Sequence, residues 1–291
     1  MNIDLVYNPA AGGFDHRRLE RLVQAFRARG LRPQPLASRQ DGVQLSGAAD
    51  LICVHGGDGT LRDTVQAMGE GAGDVPLAIA PAGTINLVAR ELNYPVDPAA
   101  LAARIADTWR AAEGHVRSPL YRLGTTPIVS CLSIGPDSHA VAQVSGTLKR
   151  RIGRYAYVVA MLRLLRQWPR DPFVIRGELV DGTSFACEAE AAIVSHGALY
   201  GGPFRLSARA ALAADSVELI TVSRSTRSGI LALTGAAMLR LPIDRLGLAE
   251  VRTCRTIEFD RCVSPVQVDG DHIAGCGWSI SPSGMNLRYC V

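Results

Sequence analysis

The first hundred or so residues alternate short β-branched runs with segments of helical periodicity, and this rhythm restricts the fold more than any other feature. Residues 3–7, 51–54 and 77–80 are apolar runs of strand length, each followed by a turn and a helical pattern. Strands that alternate with helices pair in parallel, because each helix returns the chain to the same end of the sheet. The sequence therefore predicts an α/β domain with a parallel sheet.

Capping residues and periodicity place two of the covering helices. Asp15 is a candidate N-cap for the first. Its apolar face comprises Leu19, Leu22, Val23 and Phe26. A second helix opens at Asp97-Pro98, and its inward face is predicted to comprise Leu101, Ile105 and Trp109.

Beyond about residue 118, strand-like runs follow one another with few helices between them. Residues 173–180 and 185–194 flank Asp181-Gly182, a pair that favours a type I′ hairpin turn. Further strands are predicted at 217–222, 251–259, 266–268 and 287–290, and helices at 153–167 and 228–241. The sequence thus predicts two domains, an α/β domain at 1–118, to which a tail at about 283–291 returns, and a β-rich domain at 119–282.

Cysteine usage and apolar runs favour a cytoplasmic protein. The seven cysteines form no Cys-x-x-Cys pair and are odd in number, which favours reduced thiols over disulfides or a zinc site. The first residues lack a basic segment ahead of an apolar run, so export is not expected. The apolar stretch at 230–241 is interrupted by Thr234, Gly235 and Arg240, and is too short to cross a bilayer.

The positive charge is concentrated in one segment. The net charge is only +4, but Lys149, Arg150, Arg151 and Arg154 form a local basic cluster. Such a cluster either contacts an anionic membrane surface or is simply solvated. For a cytoplasmic protein, that surface would be the inner face of the membrane. Nucleic-acid binding is not expected, because no aromatic platform accompanies the charge. The sequence leaves homodimer formation open.

The strongest chemical signal is the glycine-aspartate loop, Gly56-Gly57-Asp58-Gly59-Thr60, between a buried strand and a helix. Its glycines allow the backbone to approach a ligand closely, and amides at a helix start favour an anion such as phosphate. A glycine turn is common at strand ends in any α/β fold. A carboxylate inside the turn, however, would repel phosphate unless a metal ion or a protonatable substrate were also present. Asp58 is therefore a candidate functional residue.

Two further segments are expected at the same edge of the sheet, where ligands bind in open α/β folds. The first turn is Asn8-Pro9-Ala10-Ala11-Gly12-Gly13, and the third turn is Pro81-Ala82-Gly83-Thr84-Ile85-Asn86. Both supply small residues with amide or hydroxyl groups suited to a nucleotide. Each alone is more typical of an ordinary turn, but together with the glycine-aspartate loop they predict a phosphate site.

The order of these three segments resembles the catalytic domain of the diacylglycerol kinase family, which includes sphingosine, ceramide and bacterial lipid kinases. The likeness continues at Gly153-Arg154-Tyr155, at Leu199-Tyr200-Gly201-Gly202 and at Val268-Asp269-Gly270-Asp271. It implies a first domain similar to phosphofructokinase and NAD kinase, a β-sandwich-like second domain that takes the lipid, and ATP in the cleft between them.

The resemblance also implies a set of site residues. The residues expected at the nucleotide are Asn8, Pro9, Ala10, Ala11, Gly12, Ser38, Gly56, Gly57, Asp58, Gly59, Thr60, Gly83, Thr84 and Asn86. Asp271 stands where the family has a glutamate that accepts a proton, and Asp215 lies where the family holds a structural magnesium. The implied activity is transfer of the ATP γ-phosphate to a lipid hydroxyl.

Phosphoryl transfer requires that the two substrates be positioned and that the phosphate charge be neutralised, with Mg²⁺ bridging the nucleotide phosphates. We expect Asp271 to be the base and Asp58 to bind magnesium or orient the acceptor, although the two roles are interchangeable on sequence alone. Two other hypotheses stay open, an NAD kinase and a non-catalytic lipid-binding or regulatory protein that retains the fold. The lipid alcohol is not determined by the sequence.

Overall fold

The computed structural model describes residues 1–39, 42–111, 113–143, 170–260, 265–273 and 278–291. The chain divides into two compact units, unit 1 (Met1–Leu120 and Gly284–Val291) and unit 2 (Tyr121–Ser283). The predicted helix at 153–167 and the basic cluster at 149–154 lie outside the described residues. Across those described ranges, no helix has the length and apolar character needed to span a bilayer. The assignment of one domain to the nucleotide and the other to the lipid stays a prediction.

Unit 1 alternates strands and helices, as its sequence predicts. Its elements are β1 (Asn2–Tyr7), α1 (His16–Ala28), β2 (Arg32–Ala37), β3 (Leu51–Gly56), α2 (Asp58–Met68), β4 (Leu77–Pro81), α3 (Leu87–Glu91), α4 (Pro98–Ala111) and the start of β5 (His115–Leu123). A short 3₁₀ turn, Gly69–Gly71, follows α2. The last strand of the chain, β15 (Ser279–Cys290), ends in this unit.

The sheet of unit 1 has the order β2-β1-β3-β4, and all of its neighbouring strands are parallel. The end of β15 adds a further parallel pairing, between Tyr289 and Leu77. All six residues of β3 are buried, which is expected of a central strand covered on both faces. The α/β prediction is confirmed, and the chain segments that follow β1, β3 and β4 leave the sheet at one edge.

The helix predictions hold for α1 and fail in part for α4. Asp15 caps α1, since its carboxylate accepts a hydrogen bond from the Arg17 amide at 3.0 Å. In α4, Leu101 and Ile105 are buried, but Trp109 is 37% exposed, so its predicted inward position is wrong. The neighbouring Thr108 takes the inward position instead and donates to the Val291 carbonyl at 2.8 Å.

Unit 2 is dominated by antiparallel strands. After the end of β5 its elements are β6 (Thr126–Ile128), β7 (Cys131–Ile134), α5 (Pro136–Gln143), β8 (Phe173–Leu179), β9 (Ser184–Ala189), β10 (Ala191–Ser195), β11 (Val217–Val222), α6 (Arg227–Met238), β12 (Glu250–Phe259), β13 (Val266–Val268), β14 (Asp271–Ile273) and the start of β15. The strand order is β14-β13-β7-β10-β11-β12, and β12 also pairs with β8 and β15. The prediction of a β-rich second domain is confirmed.

Two cores lie on opposite faces of β10 and β11. Residues such as Val194 and Leu219 point into the main core, which takes side chains from most strands of the unit. Ile193 and Ile220, one residue away in each strand, belong instead to a smaller core covered by α6. Side chains alternate between the two faces of a strand, so this sheet is apolar on both sides here.

The hairpin predicted at Asp181-Gly182 forms, but with a different turn. Gly182 has a φ of +86° while Asp181 is not in the left-handed region, and the Gly182 amide donates to the Leu179 carbonyl at 3.1 Å. This is a type I turn closed by a left-handed glycine, not type I′. The predicted strand 185–194 is also wrong. It is two strands, β9 and β10, separated by the buried Glu190, which accepts hydrogen bonds from Arg170.

Candidate functional site

The three glycine-containing turns of unit 1 are in direct contact. The Gly13 amide donates to the Ala82 carbonyl at 3.1 Å, which joins the first turn to the third. A Cβ placed on Gly83 would lie 2.5 Å from the Gly57 Cα, so the third turn and the glycine-aspartate loop approach as closely as backbone allows. Only glycine fits at that approach. The turns that the sequence predicts to meet therefore do meet, within one unit.

Asn8 connects the first turn to the glycine-aspartate loop. Its side-chain nitrogen donates to the Thr60 hydroxyl at 3.2 Å, and its side-chain oxygen accepts from the Ala10 amide at 2.8 Å. Ser38 lies beside this turn, and its amide donates to the Tyr7 carbonyl at 2.8 Å. The predicted residues Asn8, Thr60 and Ser38 are thus brought together at the ends of β1, β2 and β3.

Asn86 shapes the third turn. Its backbone is left-handed, with a φ of +56°, and its side chain forms two hydrogen bonds with Gly83, accepting from the amide at 2.8 Å and donating to the carbonyl at 2.9 Å. Asparagine tolerates the left-handed region better than most residues. Its side chain therefore closes the turn, and any contact that it makes with a nucleotide stays a prediction.

Asp58 has a structural role that sequence reasoning missed. One carboxylate oxygen accepts from the Leu87 amide at 2.9 Å and the other from the Val88 amide at 3.0 Å. These are amides of the first turn of α3, which has no side-chain cap of its own. A carboxylate in the glycine run therefore anchors the third turn to the loop. A carboxylate has about four lone-pair positions in all, so a group that accepts two amides is also able to coordinate a metal ion.

The start of α2 is open to an anion. Gly57 is the N-cap of this eleven-residue helix, and it supplies no side-chain hydrogen bond to the first-turn amides. Such amides carry a partial positive charge and seek an acceptor. The Gly56-to-Thr60 segment therefore offers backbone donors where the sequence predicts phosphate.

His55 lies beneath the loop and is structural. It is fully buried next to the Phe14 ring, 6.1 Å between centroids. Burial, assisted by the nearby Arg18, lowers its pKa to about 4. His55 is consequently neutral at physiological pH.

The predicted base lies on a hairpin in unit 2. Asp269 and Gly270 have φ values of +51° and +85°, and they connect paired residues Val268 and Asp271 in a two-residue turn. Asp271 is the first residue of β14 and is half-buried. The turn itself is therefore present, and the catalytic role of Asp271 stays a prediction.

Asp269 fixes the position of this hairpin, which sequence reasoning did not foresee. Its buried carboxylate accepts from three consecutive backbone amides, those of Val129, Ser130 and Cys131, at 2.8–3.1 Å. The Asp269 amide also donates to the Cys131 carbonyl at 2.9 Å. The hairpin that carries Asp271 is thus anchored to the chain just before β7.

Unit 2 also contains an apolar cavity of about 190 Å³. It lies between α6 and strands β10 and β11. Its apolar lining includes Ile193, Ile220, Val222, Ile230, Leu233 and Ala237. Two polar side chains, Asp137 and Tyr200, share a short hydrogen bond at its wall. The Leu199-Tyr200-Gly201-Gly202 motif was the one sequence signal for this feature.

The Asp137 carboxyl is the titratable group of this cavity. Burial raises its pKa, and hydrogen bonds from Ser133 and Tyr200 limit the rise. Burial and the neighbouring Asp137 raise the pKa of the Tyr200 hydroxyl well above its ordinary value. The pair therefore presents a hydrogen-bonded polar end in a mostly apolar cavity.

The predicted metal residues do not form a cluster. Within the described ranges, no group of three or more His, Cys, Asp or Glu side chains could hold a metal ion. Asp215 is exposed, and its backbone carbonyl accepts from the Tyr121 hydroxyl at 3.0 Å. A structural magnesium at Asp215 stays a prediction. A magnesium ion carried by nucleotide phosphates would need only one or two carboxylates.

This fold is the one found in bacterial proteins described as diacylglycerol kinases. A solved structure of a putative diacylglycerol kinase from Bacillus anthracis matches 98% of the chain and 94% of its own length, with a TM-score of 0.73 and 21% identity. Residues 2–114 match the model of the diacylglycerol kinase catalytic domain.

Curated relatives carry similar names. A probable lipid kinase YegS-like protein of Pseudomonas aeruginosa is 36% identical over 118 residues, which are 40% of this chain but only 36% of that relative. A YegS-like protein of Pseudomonas fluorescens is 28% identical over 75% of this chain and 72% of its own length. A diacylglycerol kinase of Staphylococcus carnosus is 25% identical over 60% of this chain and 61% of its own.

Proposed function

We propose that this protein is an ATP-dependent lipid kinase that transfers the γ-phosphate of ATP to a hydroxyl group of a lipid. The observation that carries the proposal is the contact of three glycine turns at the uncapped start of α2. It is supported by the family match over the same residues. The apolar cavity of unit 2 supports a lipid as the acceptor.

The nucleotide would be held mainly by backbone. The first-turn amides of α2 would donate to phosphate oxygens, and the helix dipole favours the negative charge of those oxygens. Thr60 and Asn8, already joined by a hydrogen bond, form one polar wall of this site. Magnesium would neutralise phosphate charge, and the Asp58 carboxylate suits it.

Asp271 would accept the proton of the lipid hydroxyl. It stands on a hairpin fixed by four hydrogen bonds of Asp269, so its position is well defined. Asp58 is less suited to be the base, because both of its oxygens already accept backbone amides and protonation would weaken those bonds. We therefore assign proton transfer to Asp271 and anchoring to Asp58.

The test is an assay of the purified chain with magnesium-ATP and a panel of lipid alcohols, with products identified by mass. We expect at least one lipid phosphate, and a loss of roughly 10²-fold or more in rate for Asp271→Asn. Asp260→Asn, an exposed carboxylate in the same unit, is the matched control and should retain the rate.

Two results would contradict the proposal. Phosphorylation of NAD with no lipid product would favour the alternative enzyme. Binding of lipid without consumption of ATP by any acceptor would favour a non-catalytic protein. A full rate in Asp271→Asn would reject that residue as the base while leaving the kinase assignment intact.

A further inference from the structure

Large exposed apolar side chains are concentrated on one short segment of unit 2. Among the described residues nine such side chains are exposed, and five of them fall between positions 231 and 246. The five are Leu231, Met238, Leu239, Leu241 and Leu246, with exposed fractions from 45% to 73%. Isolated exposed leucines are ordinary, but a group of this kind marks an interaction site. We call it the α6 surface.

The helix α6 is apolar on two opposite sides. Leu233, Ala236 and Ala237 face inward to the smaller core of the unit. Leu231 and Met238, seven residues apart and hence on one side of the helix, face outward. A helix that is apolar all round is found where a second apolar phase covers it. The outward side of α6 therefore requires a partner.

The charges around the α6 surface are almost all positive. The segment 223–249 contains Arg224, Arg227, Arg240 and Arg245 but one acidic residue, Asp244. All four arginines are exposed. Leucines interleaved with arginines fit the boundary of an anionic bilayer, where the apolar side chains enter the acyl region and the guanidinium groups contact phosphates.

Arg240 occupies a backbone position that glycine would fill at lower energy. It ends α6 in the left-handed region, with a φ of +55°. Its amide donates to the Ala237 carbonyl at 3.2 Å, and the Leu241 amide donates to the Ala236 carbonyl at 2.9 Å. This is the Schellman arrangement, in which glycine is the usual residue. The turn presents Leu239, Arg240 and Leu241 together at the tip of the helix.

We propose that the α6 surface docks the protein on an anionic lipid bilayer. Leu231, Met238 and Leu239 insert between the lipid headgroups, and Arg240 and Arg245 contact lipid phosphates. The inner side of the same helix lines the apolar cavity, through Ile230, Leu233 and Ala237. Docking would therefore bring the cavity close to the membrane. This surface lies in a different stretch of the sequence from the basic cluster at 149–154, and docking does not depend on kinase activity.

The apolar part of the proposal is tested by flotation of the full chain with vesicles, without nucleotide. Vesicles of phosphatidylcholine with phosphatidylglycerol are expected to bind the chain, and phosphatidylcholine alone to bind it less. The double variant Leu231→Ser and Leu239→Ser should bind at least tenfold more weakly, because two exposed leucines no longer enter the bilayer. Val180→Ser, an equally exposed apolar residue of the same unit, is the control and should bind normally.

The charged part is tested by Arg240→Gln with Arg245→Gln. Each arginine is expected to contribute about fivefold to binding of the anionic vesicles and little on neutral ones. Arg176→Gln removes the same charge elsewhere in unit 2 and should bind as the parent does.

Arg240→Gly separates binding from folding. Glycine relieves the left-handed strain, so the melting temperature should rise by roughly 2–4 °C while binding of anionic vesicles falls. A more stable protein that binds less cannot have lost binding by misfolding. If instead binding is unchanged in the leucine variant, the proposal is rejected. It is also rejected if that variant turns a dimer into a monomer with vesicle binding intact, because the surface then joins two copies of the chain.

Discussion

Asp58 anchors the third turn of unit 1 and also lies in the candidate nucleotide site. The anchoring role predicts a loss of stability on substitution, whereas a role at the nucleotide alone predicts a loss of activity. Asp58→Asn keeps the size of the side chain but places an amide group against the Leu87 and Val88 amides. We expect the free energy of unfolding to fall by about 1.5–3 kcal/mol without any ligand, the range for hydrogen bonds to a charged group. Chemical denaturation measures this loss.

The control for Asp58 is an exposed aspartate of the same unit. Asp107→Asn alters a carboxylate whose surface ion pair with Arg110 contributes little, so its change should stay within about 0.5 kcal/mol. A stable Asp58→Asn that has lost only activity would contradict the anchoring role.

His55 predicts a dependence of stability on pH. Its pKa of about 4 in the folded state lies below the ordinary 6.5 of the unfolded chain, so the folded state favours the neutral imidazole. The stabilisation is complete above pH 6.5 and is lost as the pH falls towards 4, by about 3 kcal/mol at the limit. His55→Leu should remove this acid-side decline, whereas His16→Gln, at an exposed site, should retain it. Unfolding curves from pH 7 to pH 4 measure the difference.

The partners of Asp58 and Asp269 could not be predicted from the sequence, although the turns that contain them could. Glycine runs and Asp-Gly pairs are local signals, because they reflect backbone conformations that few residues adopt. Both carboxylates accept hydrogen bonds from amides that are distant in the sequence. The separation is about thirty residues for Asp58 and nearly 140 residues for Asp269. Such pairings depend on the whole fold.

Two Asp-Gly hairpins in unit 2 make a matched pair of elements. Asp269 accepts from three buried amides, whereas Asp181 accepts from one exposed amide, that of Thr183. Asn tolerates both turns, so Asn substitution isolates the carboxylate. We expect Asp269→Asn to lower the free energy of unfolding by about 3 kcal/mol or more and Asp181→Asn to change it far less. Equal costs in denaturant titrations would show that burial of the carboxylate is unimportant.

At the same scale, the sequence patterns of unit 1 predict its central strands better than its edge strand. β3 and β4 are continuous apolar runs and were predicted, whereas β2 contains Pro33 and Pro35 and was not. Proline cannot donate to a neighbouring strand, yet among the described strands β2 pairs with β1 alone and so tolerates proline. The hairpin at Asp181 shows a related limit, since Asp-Gly is compatible with more than one turn type.

At the scale of the whole molecule, three buried thiols, those of Cys53, Cys254 and Cys290, are predicted to be inert. Burial raises the pKa of Cys53, and it raises that of Cys254 to about 12 and that of Cys290 to about 11, so thiolate is scarce at neutral pH. Iodoacetamide should leave these three unmodified under native conditions and alkylate them in denaturant, as mass spectrometry can measure. Rapid native alkylation of Cys53 would contradict the buried position of β3.

The final strand has a consequence for the order in which the chain matures on the ribosome. Residues Gly284–Val291 belong to the unit that otherwise consists of the first 120 residues, and Cys290 and Val291 accept hydrogen bonds from Tyr94 and Thr108 there. Domains usually fold in the order in which they are synthesised. Here residues 1–120 are synthesised before the segment 284–291 that completes their unit, so nascent unit 1 is exposed to chaperones and proteases throughout the synthesis of unit 2.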